Sequence, residues 1–70
     1  MEQITIDSNS LYEYLRDTIS LCNTTLINGT TDSQKIAQDL LSRLQMRTNM
    51  LVTLGLPEER EFWKRIQKLL

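Results

Sequence analysis

The sequence predicts an all-α fold, a helical hairpin plus a short third helix that together form a three-helix bundle. Three observations carry this. Apolar residues recur at the 3.6-residue period of a helix through three separate stretches. Two breaks, Asn28-Gly29 and Gly55-Leu56-Pro57, fall between those stretches. The links are short, about four residues between the first two helices, and short links make antiparallel neighbours.

Residues 1–7 read as an extended arm whose Ile6 staples the start of the first helix. The alternative for Ile4-Thr5-Ile6 is a short strand pairing with a copy of itself, but an isolated strand pair is marginal in water. The first helix is expected over about residues 8–28. Asp7, Ser8, Asn9 and Ser10 are all competent N-caps. At 100° per residue, Leu11, Leu15, Ile19, Cys22 and Leu26 fall within an arc of about 80°. That is a narrow seam, with Tyr14 and Leu21 to one side and Tyr12 to the other. Gly29 is expected to take the left-handed conformation that ends a helix. Asn23, Thr24 and Thr25 have low helix propensity, so the last turn is expected to fray.

The second helix is expected over about 32–54, opened by Thr31 and Gln34 at the spacing of a capping box. Its stripe runs through Ile36, Ala37, Leu40, Leu41, Leu44, Thr48, Leu51, Val52 and Leu54. The arc is wide, about 160°, and a wide arc implies contact with more than one neighbouring helix. The third helix is expected over 57–70. Pro57 suits the first helical position, and Glu58, Glu59 and Glu61 complement the positive end of the helix dipole. Phe62, Trp63, Ile66, Leu69 and Leu70 share one face.

Seventy residues make one domain, spanning 1–70, and so short a chain has a marginal core. Small folds commonly add disulfides, a metal or a partner chain. Cys22 is alone and there is no His, so no internal disulfide forms and no N/S-ligated zinc site is expected. No cofactor is expected either. Completion of the core by dimerisation is the remaining route, and a homodimer is expected. The opening residues lack the basic-then-apolar pattern of a secretory signal, and no apolar run has the length of a membrane span. A cytoplasmic location with no membrane contact is expected. The glycosylation patterns at Asn23 and Asn28 then read as chance.

The net charge is −1 and its distribution is uneven. Residues 1–32 carry Glu2, Asp7, Glu13, Asp17 and Asp32 against Arg16 alone, while the remainder is basic on balance. That division suits antiparallel packing within one chain, and equally head-to-tail pairing between two.

Few residues suggest chemistry. Cys22 sits on the helix-one seam without a His or other evident group to lower its pKa, and reads as a small buried hydrophobe. Glu13 and Asp17 share a solvent face, and the cluster at Glu58, Glu59 and Glu61 is explained by the helix dipole. No glycine-rich loop follows a strand, so there is no phosphate cradle. No catalytic residue is expected, and the chain reads as a non-enzyme.

Two surfaces remain. Arg60, Lys64 and Lys68 form a basic strip on the third helix, and Gly55-Leu56-Pro57 has the spacing of a helix-turn-helix. Against nucleic-acid binding, the turn that would meet bases is acidic and lacks Asn and Gln. Glu61 pairs with Lys64 and Arg65 would lace this face into ordinary solvated surface. On the second helix, Met46 and Met50 lie outside the main stripe, beside Arg43 and Arg47. Met and Arg are enriched at protein interfaces. The competing reading is that the third helix or the arm covers this patch. The leading expectation is a small interaction module, an inhibitor, adaptor, co-chaperone or regulator, that binds a protein partner through Arg43, Met46, Arg47 and Met50. The alternative is a dimeric nucleic-acid-binding regulator using Arg60, Lys64 and Lys68.

Overall fold

A computed structural model describes residues 7–70. The arm or strand expected at Ile4–Ile6 lies outside the described residues. Three helices follow in order: α1 (Ser8–Asn28), α2 (Thr31–Leu54) and α3 (Pro57–Leu69). Each packs against the other two, which makes a three-helix bundle of the all-α class. No strand occurs among the described residues.

The helix starts follow from side-chain caps. Asp7 is the α1 N-cap, with Oδ1 accepting the Ser10 backbone N–H at 2.8 Å and Oδ2 accepting the Ser10 hydroxyl at 3.1 Å. At α2 the cap is Thr30 rather than Thr31, and its Oγ1 accepts the Ser33 N–H at 3.3 Å. Gln34 is thereby freed from the expected capping box. Its Nε2 instead donates to the Leu26 carbonyl of α1 at 3.1 Å. This ties a carbonyl of the final α1 turn that has no partner within the helix, and α1 stays helical to Asn28 despite its threonines. At α3, Pro57 takes the first helical position after Leu56, with Glu58 and Glu59 in the first turn and Lys68 in the last.

Both links are two residues long, Gly29-Thr30 and Gly55-Leu56, shorter than the four expected at the first. Gly29 does not adopt the left-handed conformation: its φ is −80° and its ψ is 172°. The chain leaves α1 in extended geometry and enters the α2 cap at once. Glycine is required there for a different reason. A Cβ on Gly29 would lie 2.5 Å from both the Thr25 carbonyl oxygen and Ser33 Oγ. A Cβ on Gly55 would likewise press into the Leu51 carbonyl oxygen. Each glycine N–H closes one last bond to the residue four before it, at 2.7 Å to Thr25 and 2.9 Å to Leu51.

The core sits where the three helices converge. Ile19 and Cys22 of α1, Ala37 and Thr48 of α2, and Ile66 of α3 are buried. The remaining positions of the α1 seam, Leu11, Leu15 and Leu26, are half-buried, as the narrow arc predicts. The wide α2 stripe behaves differently. Ala37, Leu41, Leu44, Thr48, Leu51 and Val52 turn inward, but Ile36, Leu40 and Leu54 are exposed. The arc does meet two helices, yet α1 and α3 together cover only part of it.

Polar contacts fix α3 to the hairpin. The Arg65 guanidinium lies 4.3 Å from the centre of the Tyr12 ring, a cation–π contact. Arg65 is therefore drawn to α1, not to Glu61 as the sequence spacing suggested. Gln67 Nε2 donates to Asn49 Oδ1 at 2.8 Å, holding α3 to α2. Phe62 and Trp63 meet edge to face at 5.0 Å on the inner side of α3.

Candidate functional site

The hairpin of α1 and α2 has two sides. α3 covers one through Tyr12, Thr48, Asn49 and Ile66. The other carries no helix among the described residues. Its floor is a groove of about 180 Å³ between α1 and α2, lined by Leu21, Cys22, Thr25, Ile36, Ala37 and Leu40. Cys22 and Ala37 form the bottom and are buried, while Leu21, Ile36 and Leu40 form the rims and are exposed. Tyr14 extends this surface along α1, and Met50 and Leu54 extend it along α2.

Helical spacing explains the placement. Ile36, Leu40, Arg43, Arg47, Met50 and Leu54 advance by three or four residues and so line one face of α2. That face is apolar at both ends and cationic at its middle. Met46 lies on its outer edge. Met46 is 68% exposed and Met50 59% exposed, so α3 covers neither. A second open groove, of about 460 Å³, is lined by Arg47, Met50 and Leu51. Arg43 forms an ion pair with Asp39 one turn earlier, Nε to Oδ2 at 3.0 Å, with both side chains largely solvated. Such exposed pairs contribute little and rearrange easily.

Glu13 and Asp17 of α1 are exposed, and Asp17 pairs with its neighbour Arg16 at 3.6 Å. One side of the hairpin thus presents an apolar groove beside an α2 row that carries Arg43 and Arg47.

The second group of candidate residues lies on α3. Arg60 is turned back onto the link, its Nε donating to the Gly55 carbonyl at 2.8 Å. Lys64 pairs with Glu61 at 3.4 Å, as the sequence spacing suggested. Lys68 is exposed in the last turn. Arg60 thus serves partly as a cap on the chain reversal. Nothing joins this strip to the Arg43–Met50 face by hydrogen bond or ion pair among the described residues.

Leu21, Ile36, Leu40 and Leu54 were not among the residues singled out from sequence as candidate contacts. For Ile36, Leu40 and Leu54 the signal is the excess width of the α2 stripe, and for Leu21 it is its place beside the α1 seam. Cys22 is unpaired and lies at the groove floor, packed as a small apolar group. Asp7 titrates below the ordinary carboxylate range. The Ser10 backbone N–H is the main cause and the Ser10 hydroxyl the next, while desolvation opposes them slightly. This is the signature of a helix cap.

No helix is long and apolar enough to cross a membrane among the described residues. Comparison with protein-family models, curated proteins and solved structures finds no match to this chain.

Proposed function

We propose that this chain is a small non-enzymatic protein–protein interaction module that binds through the uncovered face of its α1–α2 hairpin. The observation that carries the reading is the composition of that face. Leu21, Ile36, Leu40, Met50 and Leu54 are large, apolar and exposed, and they surround Arg43 and Arg47. Contiguous apolar surface rimmed by charge is the pattern of a docking site, whereas scattered exposed apolar residues are ordinary. Arg and Met anchor interfaces because each combines a long adaptable stem with strong local contacts. The mechanism is helix-against-helix packing, with the arginines setting register.

Self-association belongs to the same reading. The buried set is small, Ile19, Cys22, Ala37, Thr48 and Ile66, and a partner face would enlarge the apolar area withdrawn from water. A cytoplasmic setting is part of the proposal, and an unpaired buried thiol suits a reducing compartment.

The double substitution Met46→Glu/Met50→Glu tests the reading. Both positions are exposed, and two like charges four apart cost a helix only about 0.2–0.5 kcal/mol. The variant is expected to keep its helical circular dichroism and cooperative melt while losing association in light scattering. A folded variant that associates as the parent does would overturn the reading.

A further inference from the structure

We infer that Asn28-Gly29, the joint between α1 and α2, is a site of self-modification: the chain deamidates there when the last turn of α1 opens, and the product loosens the hairpin. The chemistry needs no partner. Its consequence for docking rests on the interaction face proposed above.

The reacting groups are neighbours in sequence. The Gly29 backbone nitrogen and the Asn28 side-chain Cγ stand at the spacing that closes a five-membered ring. Base removes the Gly29 N–H proton, the nitrogen attacks Cγ, and the Asn28 Nδ2 leaves as ammonia. The cyclic imide so formed takes up water. Cleavage of the new N–Cγ bond gives aspartate at position 28 with the backbone restored. Cleavage of the older bond, from that nitrogen to the Asn28 carbonyl carbon, gives isoaspartate, whose backbone runs through Cβ and Cγ. In sum, a side-chain amide and water become a carboxylate and ammonium. The other asparagines, Asn9, Asn23 and Asn49, precede Ser10, Thr24 and Met50, whose side chains hinder ring closure.

The folded geometry restrains the nucleophile and leaves the amide open. Asn28 is exposed. The Gly29 N–H, by contrast, donates to the Thr25 carbonyl at 2.7 Å. Asn28 is also the last residue of α1, and a helical ψ of about −42° turns the Gly29 nitrogen away from the Asn28 side chain. Both restraints are lost together when the final turn unwinds. That turn is held by the Gln34 amide, Nε2 to the Leu26 carbonyl at 3.1 Å, while Thr24 and Thr25 add little intrinsic helicity. Opening a helix end takes less free energy than unfolding the whole chain. Conversion at position 28 therefore records openings of this joint.

The product does not fit the parent geometry. Its carboxylate stands at the negative end of the α1 dipole, and α1 has no basic residue in its last turn to offset it. The isoaspartyl form also inserts a methylene into the backbone next to a link of two residues. The space is already taken: a Cβ on Gly29 would lie 2.5 Å from both the Thr25 carbonyl oxygen and Ser33 Oγ. Thr25 and Ser33 also line the apolar groove with Leu21 and Ile36. A change at the joint thus reaches the groove, and deamidation becomes an irreversible step that weakens docking as the protein ages.

Timed peptide mapping by mass spectrometry tests this. Wild type is incubated at mildly alkaline pH, folded and in urea, and the amide-to-acid mass change is followed at each asparagine. In urea, Asn28 is expected to convert faster than Asn9, Asn23 and Asn49. In the folded chain its conversion is expected to be at least about tenfold slower, the mark of a turn that is mostly closed. Gln34→Ala removes one hydrogen bond from that turn and is expected to speed the folded-state conversion about fivefold, with helical circular dichroism retained. Should that variant unfold, wild type in graded urea below its transition reads the same dependence without a substitution. Equal rates in the folded and unfolded chain, or no preference for Asn28, overturn the inference. So does a rate unmoved by Gln34→Ala in a folded variant, or by the urea series. The converted protein, separated by ion exchange, is expected to melt below the parent, and an unchanged melt overturns the loosening. None of these readings depends on association. If Met46→Glu/Met50→Glu leaves association intact, the docking face falls and the conversion at Asn28 stands. If that variant abolishes association but the converted protein associates as the parent does, the face stands and its control by deamidation falls.

Discussion

The two sides of the α1–α2 hairpin use similar residues to opposite ends. On the side under α3, Ile66 is fully withdrawn from solvent and Tyr12 and Asn49 are tied to α3 side chains. On the other side, Ile36 is 62% exposed, and Leu21 and Leu40 stand beside it. The residue types do not distinguish the sides. Coverage does: among the described residues the one further helix, α3, packs on one side and leaves the other open. Burial is therefore a property of the neighbour supplied, and an apolar residue left over marks where another neighbour is wanted.

The sharpest way to break this contrast is to truncate one isoleucine on each side. Ile66→Ala removes a fully buried side chain and is expected to cost about 2–5 kcal/mol. A domain this small rarely has more than about 3–5 kcal/mol in hand, so much of the population should unfold in a denaturant titration. Ile36→Ala is expected to change the stability of the isolated protomer by less than about 0.5 kcal/mol. Equal losses at the two positions would mean that both sides are core.

A smaller effect, of opposite sign, is expected at Thr48. Its hydroxyl is fully buried and has no hydrogen-bond partner. Thr18, Thr25 and Thr53 each donate to the carbonyl four residues earlier, at 2.9, 2.9 and 3.1 Å, but Thr48 does not. Thr48→Val keeps the shape and removes the unsatisfied group, so stability should rise by about 1 kcal/mol, read from the denaturation midpoint. A loss would show that the hydroxyl is satisfied in solution.

The smallest effect is at the solvated entrance to α1. The folded-state pKa of Asp7 is lowered, chiefly by the Ser10 backbone N–H. Its contribution is complete above the ordinary carboxylate pKa and is lost as pH falls through the lower folded value. Asn caps a helix about as well but does not titrate. Asp7→Asn should therefore show less acid sensitivity than the parent, in melts compared between neutral pH and the acid range. Identical profiles would mean that the cap does not persist in solution.

The sequence announced most of the frame, and particular residues show why. Pro57, with the acids that follow it, places the α3 start because proline and carboxylates both favour a first turn. The α1 seam is legible because its apolar positions are few and narrowly spaced. The α2 face was legible only in part. Met46 and Met50 stood out by lying off the stripe, while Ile36, Leu40 and Leu54 were hidden within it, because periodicity reports which residues share an arc and not how much of that arc is covered. Spacing along one helix points Arg65 to Glu61 and is blind to an aromatic ring, Tyr12, arriving from another. The Gly29 conformation is not legible for a related reason: Gly is chosen for φ in many helix ends, but here the proximity of Thr25 and Ser33 decides.

The two-residue links have a consequence for how the chain reaches its native state. Helices joined so tightly find each other without a long search, because little loop entropy is lost on closing them. Most native contacts then lie close in sequence, which places the chain among topologies that fold in microseconds to milliseconds. Its speed depends on the glycines as much as on the core. A side chain at Gly29 or Gly55 would obstruct the reversal itself, and collapse would have to wait on a hinge that no longer closes.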